Sequence, residues 1–154
     1  KLLGKIESPP FVLYVKGNVD LLHQTEDKKY IAVVGTRKVT EYGRQVTESL
    51  TQDLASAGCI IVSGLALGVD AIAHASTLAV KGKTIAVLGG GINQIYPPEN
   101  YKLADKIIEQ YDAQVIMATH SPEIASMVLP YEVLFLSDLG LPLGEWKPEQ
   151  EALG

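Results

Sequence analysis

Short aliphatic runs recur along the chain, each followed by a glycine and then by a stretch whose apolar positions fall three or four residues apart. Strands alternating with helices at this spacing predict βαβ units around a parallel sheet. The first clear unit opens at Tyr30, where Ile31, Ala32, Val33 and Val34 form a continuous apolar run, read as a strand buried on both faces and ended by Gly35. Thr40 is placed to cap a helix in which Val46, Leu50 and Leu54 make one apolar stripe, and Gly58 to end it. Cys59 to Ser63 is the next strand, Val69 to Val80 the next helix, and Thr84 to Leu88 the strand after that. Pro97-Pro98-Glu99 suits a helix start, with Leu103, Ile107 and Ile108 then facing the sheet. Val115 to Ala118 and Val133 to Leu136 are further strands, with a short helix from Pro122 to Val128 between them. Pro10 to Val15 is expected as an edge strand, since a leading proline removes no ladder donor there. The pattern predicts a Rossmann-like, doubly wound three-layer α/β/α sandwich with a mainly parallel sheet of five or six strands. Residues 1–154 would form one domain, with 141–154 as a tail.

Composition narrows the class. At 154 residues with 47% hydrophobic and 20% charged content, the chain can bury a core and has no segment polar enough to be disordered. No apolar run approaches the ~20 residues of a membrane span, and no secretory signal is present. The one cysteine, Cys59, excludes an internal disulfide and is expected as a buried, reduced thiol in a cytoplasmic protein. A net charge of -5 repels a polyanion overall, so any nucleic-acid contact must come from a local basic patch.

Candidate chemistry gathers in three loops at the carboxyl edge of the expected sheet, where ligands bind in open α/β folds. They are Gly35-Thr36-Arg37-Lys38-Val39-Thr40, then Ser63-Gly64-Leu65-Ala66-Leu67-Gly68, then Gly89-Gly90-Gly91-Ile92-Asn93. Glycine lets the backbone approach a ligand, helix N-termini favour anions, and Arg37 and Lys38 add charge, which together describe a phosphate site. The site residues expected are Gly35, Thr36, Arg37, Lys38, Gly64, Gly68, Gly89 and Gly90. No G-x-G-x-x-G stands at a strand-to-helix turn, which excludes a dinucleotide fingerprint. Gly82-Lys83-Thr84 precedes a strand and lacks the first Walker A glycine, where Thr77 stands. Asp70 and His74, four apart on one helix, are too few for a metal site, and Asp70 suits the first turn of its helix, so both are read as structural. Ser121 before Pro122 reads as a helix cap beside His120, and the placement of Trp146 is open. No catalytic residue, metal or cofactor is expected.

Several of these segments together carry a resemblance. Pro10-Phe11-Val12-Leu13-Tyr14-Val15-Lys16-Gly17, Val33-Val34-Gly35-Thr36-Arg37, Ser63-Gly64-Leu65-Ala66-Leu67-Gly68-Val69-Asp70 with His74, Ile85-Ala86-Val87-Leu88-Gly89, and Tyr96-Pro97 with Asn100 resemble the Rossmann-like core of the DprA (Smf-like) DNA-processing family over about residues 8–110. That resemblance implies a non-enzymatic protein that binds single-stranded DNA, hands it to RecA and usually dimerises, with Arg37 touching a DNA phosphate. Past Gln110 the family's Phe-Pro-x-Arg-Asn-Arg stretch is missing. Gln114 to Glu123 and Leu134 to Asp138 instead resemble the switch-histidine region of ABC-type P-loop ATPases, with His120 as the histidine, over residues 111–140. Two half-motifs point to a recombined, engineered chimera with at most weak DNA or phosphate binding. The alternative is a natural DprA-like protein that binds single-stranded DNA and loads RecA; a second is a nucleotide hydrolase acting through His120.

Overall fold

A computed structural model of the chain describes residues 12–22, 27–90, 92, 94–109, 114–119 and 133–135. Its elements in chain order are β1 (Val12–Gly17), a 3-10 turn (Val19–Leu22), β2 (Tyr30–Ala32), α1 (Glu41–Ser56), β3 (Ile60–Ser63), α2 (Val69–Ala79), β4 (Thr84–Leu88), a second 3-10 turn (Pro98–Asn100), α3 (Tyr101–Glu109), β5 (Gln114–Thr119) and β6 (Val133–Phe135). This is the mixed α/β fold that the alternating pattern predicts. Its centre is parallel: Ile31 pairs with Ile61, and Ile61 with Thr84. β5 runs parallel to β4, and β1 lies antiparallel between β5 and β6, giving the order β2-β3-β4-β5-β1-β6. β1 is therefore flanked on both sides, where an edge strand was expected.

From β2 to β5 the strands advance in chain order, and crossovers of one hand then place successive helices on the same side. The packing agrees. Ile61 meets Ala55 of α1 and Ala73 of α2, while Ala86 and Leu88 of β4 meet Leu78 of α2 and Ala104 and Ile107 of α3. On the other face Val15, Ile60 and Ile85 pack with Leu21 of the first 3-10 turn, whose carbonyl accepts from the Tyr30 hydroxyl at 2.7 Å. Among the described residues the second helical layer of a doubly wound sandwich is not found, because winding to both faces requires the strand order to reverse.

Two local expectations also change. β2 stops at Ala32 and Val34 is 74% exposed, because β2 lies at the sheet's edge and has β3 on one side only. In α1 the stripe divides: Val46 is 43% and Leu50 56% exposed, while Leu54 is half-buried against the cluster of Ala55, Ile61 and Ala73, and Thr51 and Ala55 are buried. The caps are as expected. Thr40 Oγ1 accepts from the Gly43 amide at 3.1 Å, and Gly58 ends α1 with a φ of +84°, a conformation L side chains resist. Cys59 is free and buried.

Candidate phosphate and nucleic-acid site

The first loop leaves β2 and is folded on itself by the Lys38 amide donating to Thr36 Oγ1 at 3.1 Å. It lies directly on the second loop. The Val69 amide donates to the Thr36 carbonyl at 3.1 Å, and a Cβ at Gly68, whose φ is +84°, would collide with that carbonyl and with the Arg37 backbone. A Cβ at Gly35 would come within 2.7 Å of Val69 Cγ2. Gly35 and Gly68 thus serve loop-on-loop packing, and that packing holds Arg37 at the carboxyl edge.

The second loop is clamped from two directions. Asp70 Oδ2, in the first turn of α2, accepts from the Gly64 amide at 3.1 Å and from the Ala66 amide at 3.4 Å. Asn100, the buried last residue of the second 3-10 turn, donates through Nδ2 to the carbonyls of Leu65 at 2.9 Å and Ala66 at 3.2 Å. Between them Leu65 takes a left-handed φ of 58° and drives its side chain fully into the core. A side chain at Gly64 would meet Asp70 Oδ2 at 2.9 Å. The amides of Gly64 and Ala66 are therefore already occupied by the protein's own carboxylate, and this loop supplies shape to a ligand and few donors.

The third loop is open: nothing lies within 4 Å of a Cβ built at Gly89 or Gly90. A pocket of about 480 Å³ forms between the loops, lined among others by Arg37, Gly64, Ala66, Gly89, Gly90 and Tyr96. Of the expected site residues, Arg37, Gly64, Gly89 and Gly90 line it, Gly35 and Gly68 stand behind it, and Thr36 and Lys38 belong to the Arg37 loop without lining it. Arg37 has no ion-pair partner among the described residues. Tyr96, 75% exposed and joined to Pro97 by a cis peptide bond, and Gln94 complete the lining. Sequence reasoning gave neither of them a role. The Tyr96-Pro97 pair carried a resemblance, but no local pattern tells that its ring stands across from an arginine 59 positions earlier in the chain, a separation counted from the numbering.

Behind the pocket, His74 is fully buried, with Nδ1 2.7 Å from Thr84 Oγ1. Burial lowers its pKa to about 4, against the opposing effects of the Asp70 carboxylate and the Ser63 backbone. Asp70 and His74 each serve the framework, as their spacing suggested, and no group of three His, Cys, Asp or Glu side chains able to hold a metal occurs among the described residues. His120, Ser121 and Trp146 lie outside the described residues. No helix among the described residues is long and apolar enough to cross a membrane.

A parallel sheet centre with three glycine-bearing loops at its carboxyl edge, and there an arginine without an ion-pair partner among the described residues, is the organisation of a Rossmann-like ligand-binding domain. The family follows from comparison with known proteins. The chain belongs to the family described as DNA recombination-mediator protein A, whose model matches residues 1–127. It is 42% identical over 121 residues to DNA processing protein DprA of Bacillus subtilis (strain 168), covering 79% of this chain and 39% of that protein. It is 47% identical over 107 residues to protein Smf of Synechocystis sp., covering 70% and 27% respectively. The chain thus spans well under half the length of these relatives. A solved structure of DNA processing protein A from Helicobacter pylori, described for its single-stranded DNA binding mode, superposes with a TM-score of 0.65 at 34% identity, covering 76% of this chain and 51% of that one. The X-ray structure of DprA from Streptococcus pneumoniae gives 0.65 at 37% identity, covering 79% and 42%.

These matches correct the expectation of a recombined chain. The family model runs through Gln110, where the resemblance was expected to stop, to residue 127. The segment read as part of a P-loop ATPase gains no support from them.

Proposed function

We propose that this chain is the single-strand-binding core of a natural DprA-type protein, with the Arg37 guanidinium taking a backbone phosphate and the Tyr96 ring receiving a neighbouring base. The observation that carries this is that one pocket of about 480 Å³ is lined both by an arginine without an ion-pair partner among the described residues and by an exposed aromatic ring. A cation for the backbone beside a π-face for the bases is the general chemistry of single-strand binding. The Helicobacter pylori relative, named for binding single-stranded DNA, supports the same assignment. Gly64, Gly89 and Gly90 line the rest of the pocket, and Gly35 and Gly68, with Thr36 and Lys38 of the Arg37 loop, support it from behind. No reaction and no cofactor is assigned to this site. Delivery of the strand to RecA, homodimerisation and a cytoplasmic setting belong to the same proposal at the level of a whole protein.

With a net charge of -5 and no Arg-Asn-Arg stretch, binding should be weak and salt-sensitive, in the range of about 10⁻⁴ M that non-specific sites reach at physiological salt. Fluorescence anisotropy of a labelled oligothymidylate measures this directly. The parent should bind at low salt and Arg37→Ala should not; equal binding by both would remove Arg37 from the site, and no binding by the parent at any salt would end the assignment.

A further inference from the structure

A second cavity of about 630 Å³ lies between the N-terminal part of α1, α2 and α3, and its lining includes Arg37, Arg44, Leu67, Lys102 and Lys106. Arg37 and Leu67 line the first pocket as well, so the two cavities share a saddle. We propose that a bound single strand crosses this saddle and that Arg44, Lys102 and Lys106 take its following phosphates. This rests on the assignment of the Arg37 pocket to single-stranded DNA and adds the path the strand follows beyond it.

Charge and spacing carry the inference. Four cationic side chains line the groove against two carboxylates, Glu48 and Glu99, in a chain whose overall charge is -5. Lys102 and Lys106 are exposed and have no ion-pair partner among the described residues. They stand one turn apart on α3, about 6 Å along its axis, which aligns two point charges along the groove. Arg44 is held only loosely, 3.9 Å from Glu41 and 3.8 Å from Glu48, both exposed and on its own helix. Solvent screens pairs of that kind, so a phosphate can displace them. The floor of the groove is the small and apolar surface of α2, with Ala71, Ile72 and Ala75, which leaves room for a backbone to lie flat.

The test compares oligothymidylates of about 5 and about 20 nucleotides, lengths near and beyond one single-strand site. Anisotropy titrations across a salt series would use the parent, the double variant Lys102→Ala/Lys106→Ala, and a control, Lys29→Ala/Lys83→Ala, which removes equal charge from exposed positions just before β2 and β4 at the opposite edge of the sheet. For the long oligonucleotide the groove variant should lose affinity, and its slope of log K against log salt should be shallower by about 1.4, about 0.7 for each phosphate contact removed. Its binding of the short oligonucleotide, and the control's binding of both, should match the parent. A parent that binds while the groove variant keeps the same affinity and slope overturns the path and leaves the Arg37 pocket standing; so does an equal loss in the control or with the short oligonucleotide. A parent that binds neither length at any salt overturns pocket and path together.

Discussion

His74 is fully buried with Nδ1 2.7 Å from Thr84 Oγ1, whose hydroxyl also lies 2.9 Å from the Ile61 carbonyl, and Nε2 has no hydrogen-bond partner among the described residues. With a pKa of about 4 in the fold against about 6.5 in the unfolded chain, His74 stays neutral where the unfolded state has already taken a proton. The unfolded state therefore binds more protons between those values. The stability His74 confers is complete above about pH 6.5 and is lost as pH falls towards 4, by up to about 3 kcal/mol. Urea unfolding at pH 7.5 and 4.5 should show this decline in the parent and a flatter profile in His74→Gln; parallel profiles would mean that another group governs it. The Asp70 and His74 spacing was legible in the sequence, and so was its structural character. Their partners were not, because Gly64, Thr84 and Asn100 come from other elements and nothing local announces the contact.

At the scale of elements, the two central parallel strands were read closely. β4 is found as expected from Thr84 to Leu88, and β3 differs by one residue. β2 was over-extended because a run of aliphatic residues looks the same at an edge as at the centre. Helix α1 was placed correctly from Thr40, but of its apolar stripe only Leu54 reaches the core. Periodicity weighs large apolar side chains, whereas α1 approaches its neighbours through small ones: a Cβ at Gly82, just past α2, would lie 2.8 Å from Ala55 Cβ and 3.0 Å from Thr77 Cγ2. Leu50→Ser should accordingly change unfolding stability by no more than about 0.5 kcal/mol, while Ala55→Leu should cost about 1–3 kcal/mol through overpacking. Denaturant titration of both checks the assignment, and a loss above about 2 kcal/mol in Leu50→Ser would show that something covers the stripe.

For the whole molecule, β5 decides whether residues beyond Gln110 belong to the domain. Ile116 stands in register with Val87 of β4 on one side and Val15 of β1 on the other. A charge at an interior strand position of this kind, Ile116→Asp, should lower stability by several kcal/mol, read from the urea midpoint; a midpoint equal to the parent's would mean that β5 does not join the sheet. The sheet and the edge that carries Arg37 could be foreseen from alternation and glycine placement. The pocket's aromatic wall could not, because it arises where a later loop returns to an earlier one. The Asp70 carboxylate on the Gly64 and Ala66 amides has a further consequence. A loop that carries its own counter-ion keeps one shape whether the pocket is empty or full. A ligand that enters asks for no reordering of that wall, and it finds the Gly64 and Ala66 amides already taken.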